Sequence, residues 1–90
     1  MDIPQEKDWG DWKDNLDLRY AHENFAGTSI SEAIELFVKN SLHYQEDLLW
    51  MPIIPFQFYI QAYKEYILSE RSKEDADGAS CYLRLIKHKL

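Results

Sequence analysis

Cys81 is the side chain in this sequence best suited to act as a nucleophile. A thiolate paired with an imidazole is a common catalytic arrangement, and the sequence offers His22, His43 and His88 as partners. Cys81 falls near the start of a predicted helix, where the helix dipole lowers a thiol pKa. A lone cysteine beside an apolar stripe is more often a buried, inert side chain. We therefore expect no catalytic residue, and a small enzyme or ligand-binding pocket around Cys81 is kept as an alternative.

His43 and Glu46 are one helical turn apart, a spacing at which two side chains can bind the same metal ion. Two ligands do not complete a site, however. Glu32 and Glu35 lie about two turns upstream, but the Glu-x-x-His pairs of di-iron helical bundles are absent. We interpret these side chains as a solvated polar face, and we expect neither a metal nor a cofactor.

The sequence DADG, which ends at Gly78, has the spaced aspartates of part of a calcium-binding loop. With the glycine at the sixth loop position, Lys73 and Arg84 take the first and twelfth positions, where the loop needs carboxylates. A calcium site is therefore not expected. Asp75 or Asp77 is instead predicted to cap the helix that follows. The three glycines are too far apart for a phosphate-binding loop.

The clearest helix signal lies in the middle of the chain. Ser29 and Glu32 have the spacing of a capping box, in which each side chain binds the backbone N–H of the other residue. Apolar residues at helical spacing follow, and they predict an amphipathic helix over about 30–43. Asn40 and Ser41 are candidates to interrupt it, with a further short helical piece over 44–50.

Residues 48–63, LLWMPIIPFQFYIQAY, form an uncharged run that contains two prolines. A membrane-spanning helix needs about 20 apolar residues without such breaks, so no membrane anchor is predicted. Pro55 suits the first position of a helix, and the residue before a proline avoids helical geometry. We predict a helix over about 55–69 that forms the core of the fold, with a partly exposed binding groove as the alternative.

The remaining segments complete an all-α prediction. A short leading helix is expected over about 17–26, capped by Asp17 and ended by Gly27, and a last helix over about 78–89. The predicted fold is a small bundle of three main helices plus the leading helix. Residues 1–15 are predicted to be an irregular acidic arm, and residues 16–90 a single helical domain.

Charge and composition restrict the classes of function. The formal net charge of −6 disfavours binding to a phosphate backbone, so no nucleic-acid partner is expected. A single cysteine forms no intrachain disulfide, which fits a reducing compartment. The first residues, MDIPQEKDWGDW, have neither the basic nor the apolar region of a signal peptide. We therefore expect a cytoplasmic protein.

The function that this composition favours is non-catalytic binding to a protein partner, or to a second copy in a homodimer. Aromatic side chains dominate interface hot spots, and the candidates for such a contact are Trp9, Trp12, Trp50, Phe58 and Tyr66. The two tryptophans of the arm either dock on a partner or fold back onto the bundle. A second possibility is an acidic protein that masks a basic surface, such as that of a toxin or a nucleic-acid-binding protein. Carboxylates gathered on one face would be its mark.

We predict that Cys81 of the folded protein reacts slowly with a thiol reagent at neutral pH, because a buried, protonated thiol is a poor nucleophile. The same protein in denaturant gives the reference rate. Labelling of the folded chain at the rate of the denatured chain would contradict this expectation and would favour the enzyme alternative.

Overall fold

The computed structural model describes residues 2–89, and it is all-α over that range, without a strand. Its four α-helices in this range are α1 (Leu16–Phe25), α2 (Ile30–Trp50), α3 (Ile53–Leu68) and α4 (Gly78–Lys89). Short 3-10 turns at Glu6–Trp9, Trp12–Asp14 and Glu70–Ser72 occupy the arm and the connection between α3 and α4. The predicted all-α class is confirmed.

The starts of α1 and α2 are fixed by side-chain caps. The Ser29 hydroxyl accepts the Glu32 N–H at 3.1 Å, and the Glu32 carboxylate accepts the Ser29 N–H at 2.9 Å. The predicted capping box is therefore confirmed. The predicted cap of α1 is wrong: Asn15, not Asp17, accepts the Leu18 N–H at 3.0 Å. An uncharged amide caps a helix about as well as a carboxylate, so the sequence alone does not separate these candidates.

The second helix is longer than predicted and is broken near its middle. Asn40 has non-helical dihedral angles (φ −165°, ψ 87°). Its side chain accepts the His43 N–H at 3.1 Å, so it caps the second half of the helix. The predicted interruption and the further helical piece predicted over 44–50 are confirmed: the chain resumes helical geometry after Asn40 and continues to Trp50, so α2 includes both predicted pieces.

The core helix α3 begins at Ile53, two residues before the predicted start at Pro55. A proline is tolerated anywhere in the first turn, because the N–H groups there have no intrahelical acceptor. The first such bond in α3 comes from Phe56, whose N–H donates to the Pro52 carbonyl at 3.0 Å. The rule that a residue before proline avoids helical geometry does not hold at Ile54.

Three tyrosines of α3 form hydrogen bonds to other parts of the chain through their hydroxyl groups. The Tyr59 hydroxyl lies 2.7 Å from the Phe25 carbonyl oxygen and 2.9 Å from that of Thr28, at the turn between α1 and α2. The Tyr63 hydroxyl donates to the Gly78 carbonyl at 3.0 Å, at the start of α4. A buried hydroxyl needs such a partner, so these bonds fix where the neighbouring helices begin and end.

Asp75 accepts the hydrogen bond of the third tyrosine, Tyr66. Its carboxylate accepts hydrogen bonds from the Tyr66 hydroxyl, at 2.9 Å, and from the Ser41 hydroxyl of α2. Asp75 therefore joins the loop before α4 to α2 and α3. Asp75 or Asp77 was predicted to cap α4 with its side chain. Within residues 2–89, neither side chain accepts a hydrogen bond from a backbone N–H at the start of α4.

Much of the apolar run at 48–63 lies in the core, as predicted, whereas its residues Leu49, Trp50, Ile53 and Ile54 are exposed. The fully or nearly buried side chains of the run are Leu48, Met51, Pro55, Phe56, Phe58, Tyr59, Ala62 and Tyr63. Over residues 2–89, none of the helices is both long enough and apolar enough to cross a bilayer.

We predict that replacement of Tyr63 by Phe lowers the free energy of unfolding by about 1–2 kcal/mol, because the buried Gly78 carbonyl loses the hydrogen bond from the Tyr63 hydroxyl. Urea denaturation followed by circular dichroism measures the change. Tyr20→Phe is the matched control: its ring is 53% exposed, and we expect a change within about 0.5 kcal/mol. Equal midpoints for wild type and Tyr63→Phe would show that this hydroxyl does not hold the loop.

Candidate functional site

Cys81 is buried, with 3% of its surface exposed, and its sulfur accepts an N–H from Arg84 at 3.2 Å. His22 lies in contact with the N-terminal arm, where its Nε2 is 2.9 Å from Glu6. Within the described part of the chain, no hydrogen bond joins Cys81 to a histidine. The structure therefore does not bring together the thiolate–imidazole pair that was considered from the sequence.

The four side chains considered as metal ligands do not meet at one place. Glu32 is held in the capping box, and Glu35 forms a bidentate ion pair with Arg71. His43 and Glu46 remain near each other on the second half of α2. Across residues 2–89, no three histidine, cysteine or carboxylate side chains gather into a group that could hold a metal ion.

The arm folds back onto the helices and is held there by its two tryptophans. Trp9 is completely buried, 5.2 Å from the ring of His22 and 6.2 Å from that of Tyr59. Trp12 stacks on His22 at 3.8 Å and donates its indole N–H to Glu6 at 2.8 Å. The hydrogen bonds from His22 and then Trp12 hold the pKa of Glu6 below its ordinary value. Both tryptophans thus have contacts within the chain.

Phe58 and Tyr66, two of the predicted contact residues, lie in the core of the fold, where they are 3% and 4% exposed. Trp9 of the arm packs into the same core, in addition to the helices. Of the five predicted contact residues, Trp50 is the one that is exposed, with 45% of its surface accessible.

Trp50 is the last residue of α2, and the structure holds its backbone firmly. The Lys89 ammonium group donates to the carbonyls of Leu49 and Met51, at 3.0 and 2.6 Å. A cation at this position satisfies carbonyls that the helix end leaves free and interacts favourably with the helix dipole. The exposed indole of Trp50 therefore projects from a fixed junction between α2 and α3.

Trp50 borders a groove between α1 and the second half of α2, which we call the α1/α2 groove. Its volume is about 420 Å³. Each helix contributes a stripe of residues three or four positions apart, which lie on one helix face. The lining residues are Asp17, Tyr20, Glu23 and Asn24 from α1, and His43, Glu46, Asp47 and Trp50 from α2.

The α1/α2 groove carries an excess of negative charge. Four of its eight lining residues are carboxylates, and none is lysine or arginine. Asp47 is partly buried, and it accepts one hydrogen bond, from Asn24 at 2.8 Å. Burial raises the pKa of Asp47 above its ordinary value; the Asn24 hydrogen bond and His43 oppose that shift, whereas Glu46 and Asp17 add to it. The ion pairs within residues 2–89 do not include these carboxylates.

Most of the residues that line this groove were not predicted from the sequence to form a site. Asp17 was interpreted as a helix cap, and His43 with Glu46 as a polar face. Tyr20 and Asp47 were not singled out. The spacing of each stripe is visible in the sequence, but it does not show that the second half of α2, after the break at Asn40, lies beside α1.

Comparison of this chain with protein-family models, with curated proteins and with solved structures finds no match. Function is therefore inferred from the geometry and charge of the α1/α2 groove.

We predict that Asp47→Asn stabilises the fold at neutral pH, by less than about 1 kcal/mol because a half-exposed charge is well screened. A carboxyl whose pKa is raised by folding favours the folded state at pH values below its unfolded pKa, and this contribution is lost as pH rises through the folded pKa. The advantage of the variant should therefore appear at neutral pH and vanish in acid. Thermal melting at both pH values measures it.

Glu65→Gln, which removes an exposed carboxylate of α3, controls for the change in net charge. A neutral-pH melting temperature of Asp47→Asn below that of wild type would show that the Asp47 carboxylate stabilises the fold.

Proposed function

We propose that this chain is a non-catalytic helical domain that binds a protein partner through the α1/α2 groove. The observation that carries the proposal is the exposure of two aromatic rings at one concave site, with Trp50 45% and Tyr20 53% exposed. Tryptophan and tyrosine bury a large area at a low cost in side-chain entropy, and they are enriched in interface hot spots.

The rigidity of the groove supports a binding role. Lys89 holds the carbonyls on either side of Trp50, and Asn24 holds the carboxylate of Asp47. Groups that are already fixed in the free protein lose little freedom on association, so more of the contact energy appears as affinity.

The charge of the groove favours a partner other than a second copy of the chain. In a twofold dimer built on this face, the four carboxylates of one copy would meet the same four of the other. Like charges at an interface are unfavourable. A partner with a basic surface fits better, which supports the second function that the sequence left open, the masking of a basic surface.

The enzyme alternative has less support, because the Cys81 thiol is buried and has no histidine partner within the described residues. The proposal includes a cytoplasmic location, which is supported by the single cysteine of the sequence.

Affinity capture from an extract of the native cell tests the proposal. We expect Trp50→Ala to lose a protein that wild type retains, because truncation of a central tryptophan commonly costs about 2 kcal/mol or more of binding energy. Leu68→Ala is the matched control, since Leu68 is 75% exposed and lies outside the groove. Circular dichroism verifies that each variant is folded.

Capture of the same proteins by wild type and by Trp50→Ala would contradict the proposal. Sedimentation of the chain alone tests the homodimer: a concentration-dependent dimer that Trp50→Ala abolishes would make a second copy the partner and would refute the charge argument.

A further inference from the structure

The α1/α2 groove combines exposed aromatic side chains with carboxylates that form no ion pair among residues 2–89. We infer that it takes an arginine side chain from a basic segment of the partner, an inference that rests on the proposed function. Three observations support arginine: the carboxylates without an ion pair in the described range, the exposed indole of Trp50 and the orientation of Asp47 by Asn24.

The first observation concerns charge. The chain has ten lysine and arginine side chains, yet none lines this groove. Elsewhere in the described range, Glu35 shows the geometry of such a pair: it binds Arg71 through both carboxylate oxygens. A guanidinium placed in the groove would make charge-assisted bonds of the same kind with the groove carboxylates.

The second observation concerns the aromatic rings. Two other rings have a cation of their own: Lys13 lies 5.4 Å from the ring of Trp12, and Lys89 lies 5.3 Å from that of Phe56. Trp50 has no such cation among residues 2–89. Tryptophan attracts cations more strongly than the other aromatic side chains do, so the exposed indole beside carboxylates is suited to receive one.

The third observation concerns geometry. The hydrogen bond from Asn24 fixes one oxygen of Asp47 and leaves the rest of the carboxylate free to accept further hydrogen bonds. A planar guanidinium can stack on an aromatic ring while its N–H groups bind a carboxylate, whereas an ammonium group is a compact and strongly hydrated charge. The site therefore favours arginine over lysine. Burial deprives the Asp47 carboxylate of part of its solvation and so raises its pKa. A cation placed beside this carboxylate therefore stabilises it more than it would a fully solvated one.

The neighbouring surface limits how many cations fit. Asp17, Glu46 and Trp50 also border an adjoining groove, which is lined as well by Arg84 and His88. Arg84 repels a second cation there, and the apolar side chains of Leu49 and Leu85 border the same space. The segment that binds should therefore present one arginine to the α1/α2 groove, rather than a run of charges along both grooves.

Hexa-arginine, hexa-lysine and hexa-citrulline peptides test this inference by nuclear magnetic resonance titration at about 0.15 M salt, where long-range attraction is screened. Citrulline has nearly the shape of arginine without its charge. We expect hexa-arginine to shift the backbone signals of Tyr20, Asp47 and Trp50, with weaker binding of hexa-lysine and none of hexa-citrulline.

Two variants localise the contact. Trp50→Ala should weaken hexa-arginine binding by about 3- to 10-fold through loss of the cation–π contact. Asp47→Asn should weaken it by a similar factor, and because that variant is expected to be the more stable protein, unfolding would not explain the loss. Glu65→Gln removes the same charge outside the groove and should change the affinity by less than about 2-fold.

Signals that shift over the whole acidic surface, equal binding of the lysine and arginine peptides, or an Asp47→Asn variant equal to Glu65→Gln would each overturn the inference. Partner capture that depends on Trp50 without peptide binding at the groove overturns the arginine inference alone. Peptide binding at the groove with capture that is independent of Trp50 overturns the proposed function alone.

Discussion

The hydroxyl groups of three tyrosines on α3 have to find hydrogen-bond acceptors inside the fold, and the arrangement of the other helices depends on where they find them. Tyr59 binds at the turn between α1 and α2, Tyr63 at the first residue of α4, and Tyr66 at Asp75. Each acceptor lies at a helix end or in a connection rather than in a helix interior. The hydroxyl groups of one helix therefore fix the positions of the neighbouring helix ends. In a purely apolar core those ends could slide along α3.

The shape of the α1/α2 groove depends in part on these tyrosine hydrogen bonds. The turn held by Tyr59 sets the C-terminal end of α1, and the break at Asn40 directs the second half of α2 alongside it. A straight α2 would carry Trp50 in another direction. The groove thus depends on the hydrogen bonds of Tyr59 and on the non-helical Asn40, and neither residue lines it.

Features encoded within a few residues were predictable from the sequence, and those that join distant segments were not. The capping box at Ser29, the glycine at position 27 with a φ of 79° and the break at Asn40 are local, so their residue types identify them. The burial of Phe58 depends on the full set of elements packed around α3, and the groove depends on which helix faces join. Apolar spacing shows that a helix has an inner face, but not which neighbour covers it.

The contact between Trp9 and Tyr59 has a consequence for the order in which the fold closes during synthesis. The arm leaves the ribosome before the helices, but its Trp9 packs against the ring of Tyr59, which is made 50 residues later. Lys89, in the last turn of α4, then binds the carbonyl groups at the end of α2. Because the contact of Trp9 with Tyr59 and that of Lys89 with the end of α2 both need late residues, the nascent chain has some of its aromatic side chains unburied until those residues are made. A chain that stalls before α4 is made would expose those rings to other proteins and would be a natural substrate for chaperones.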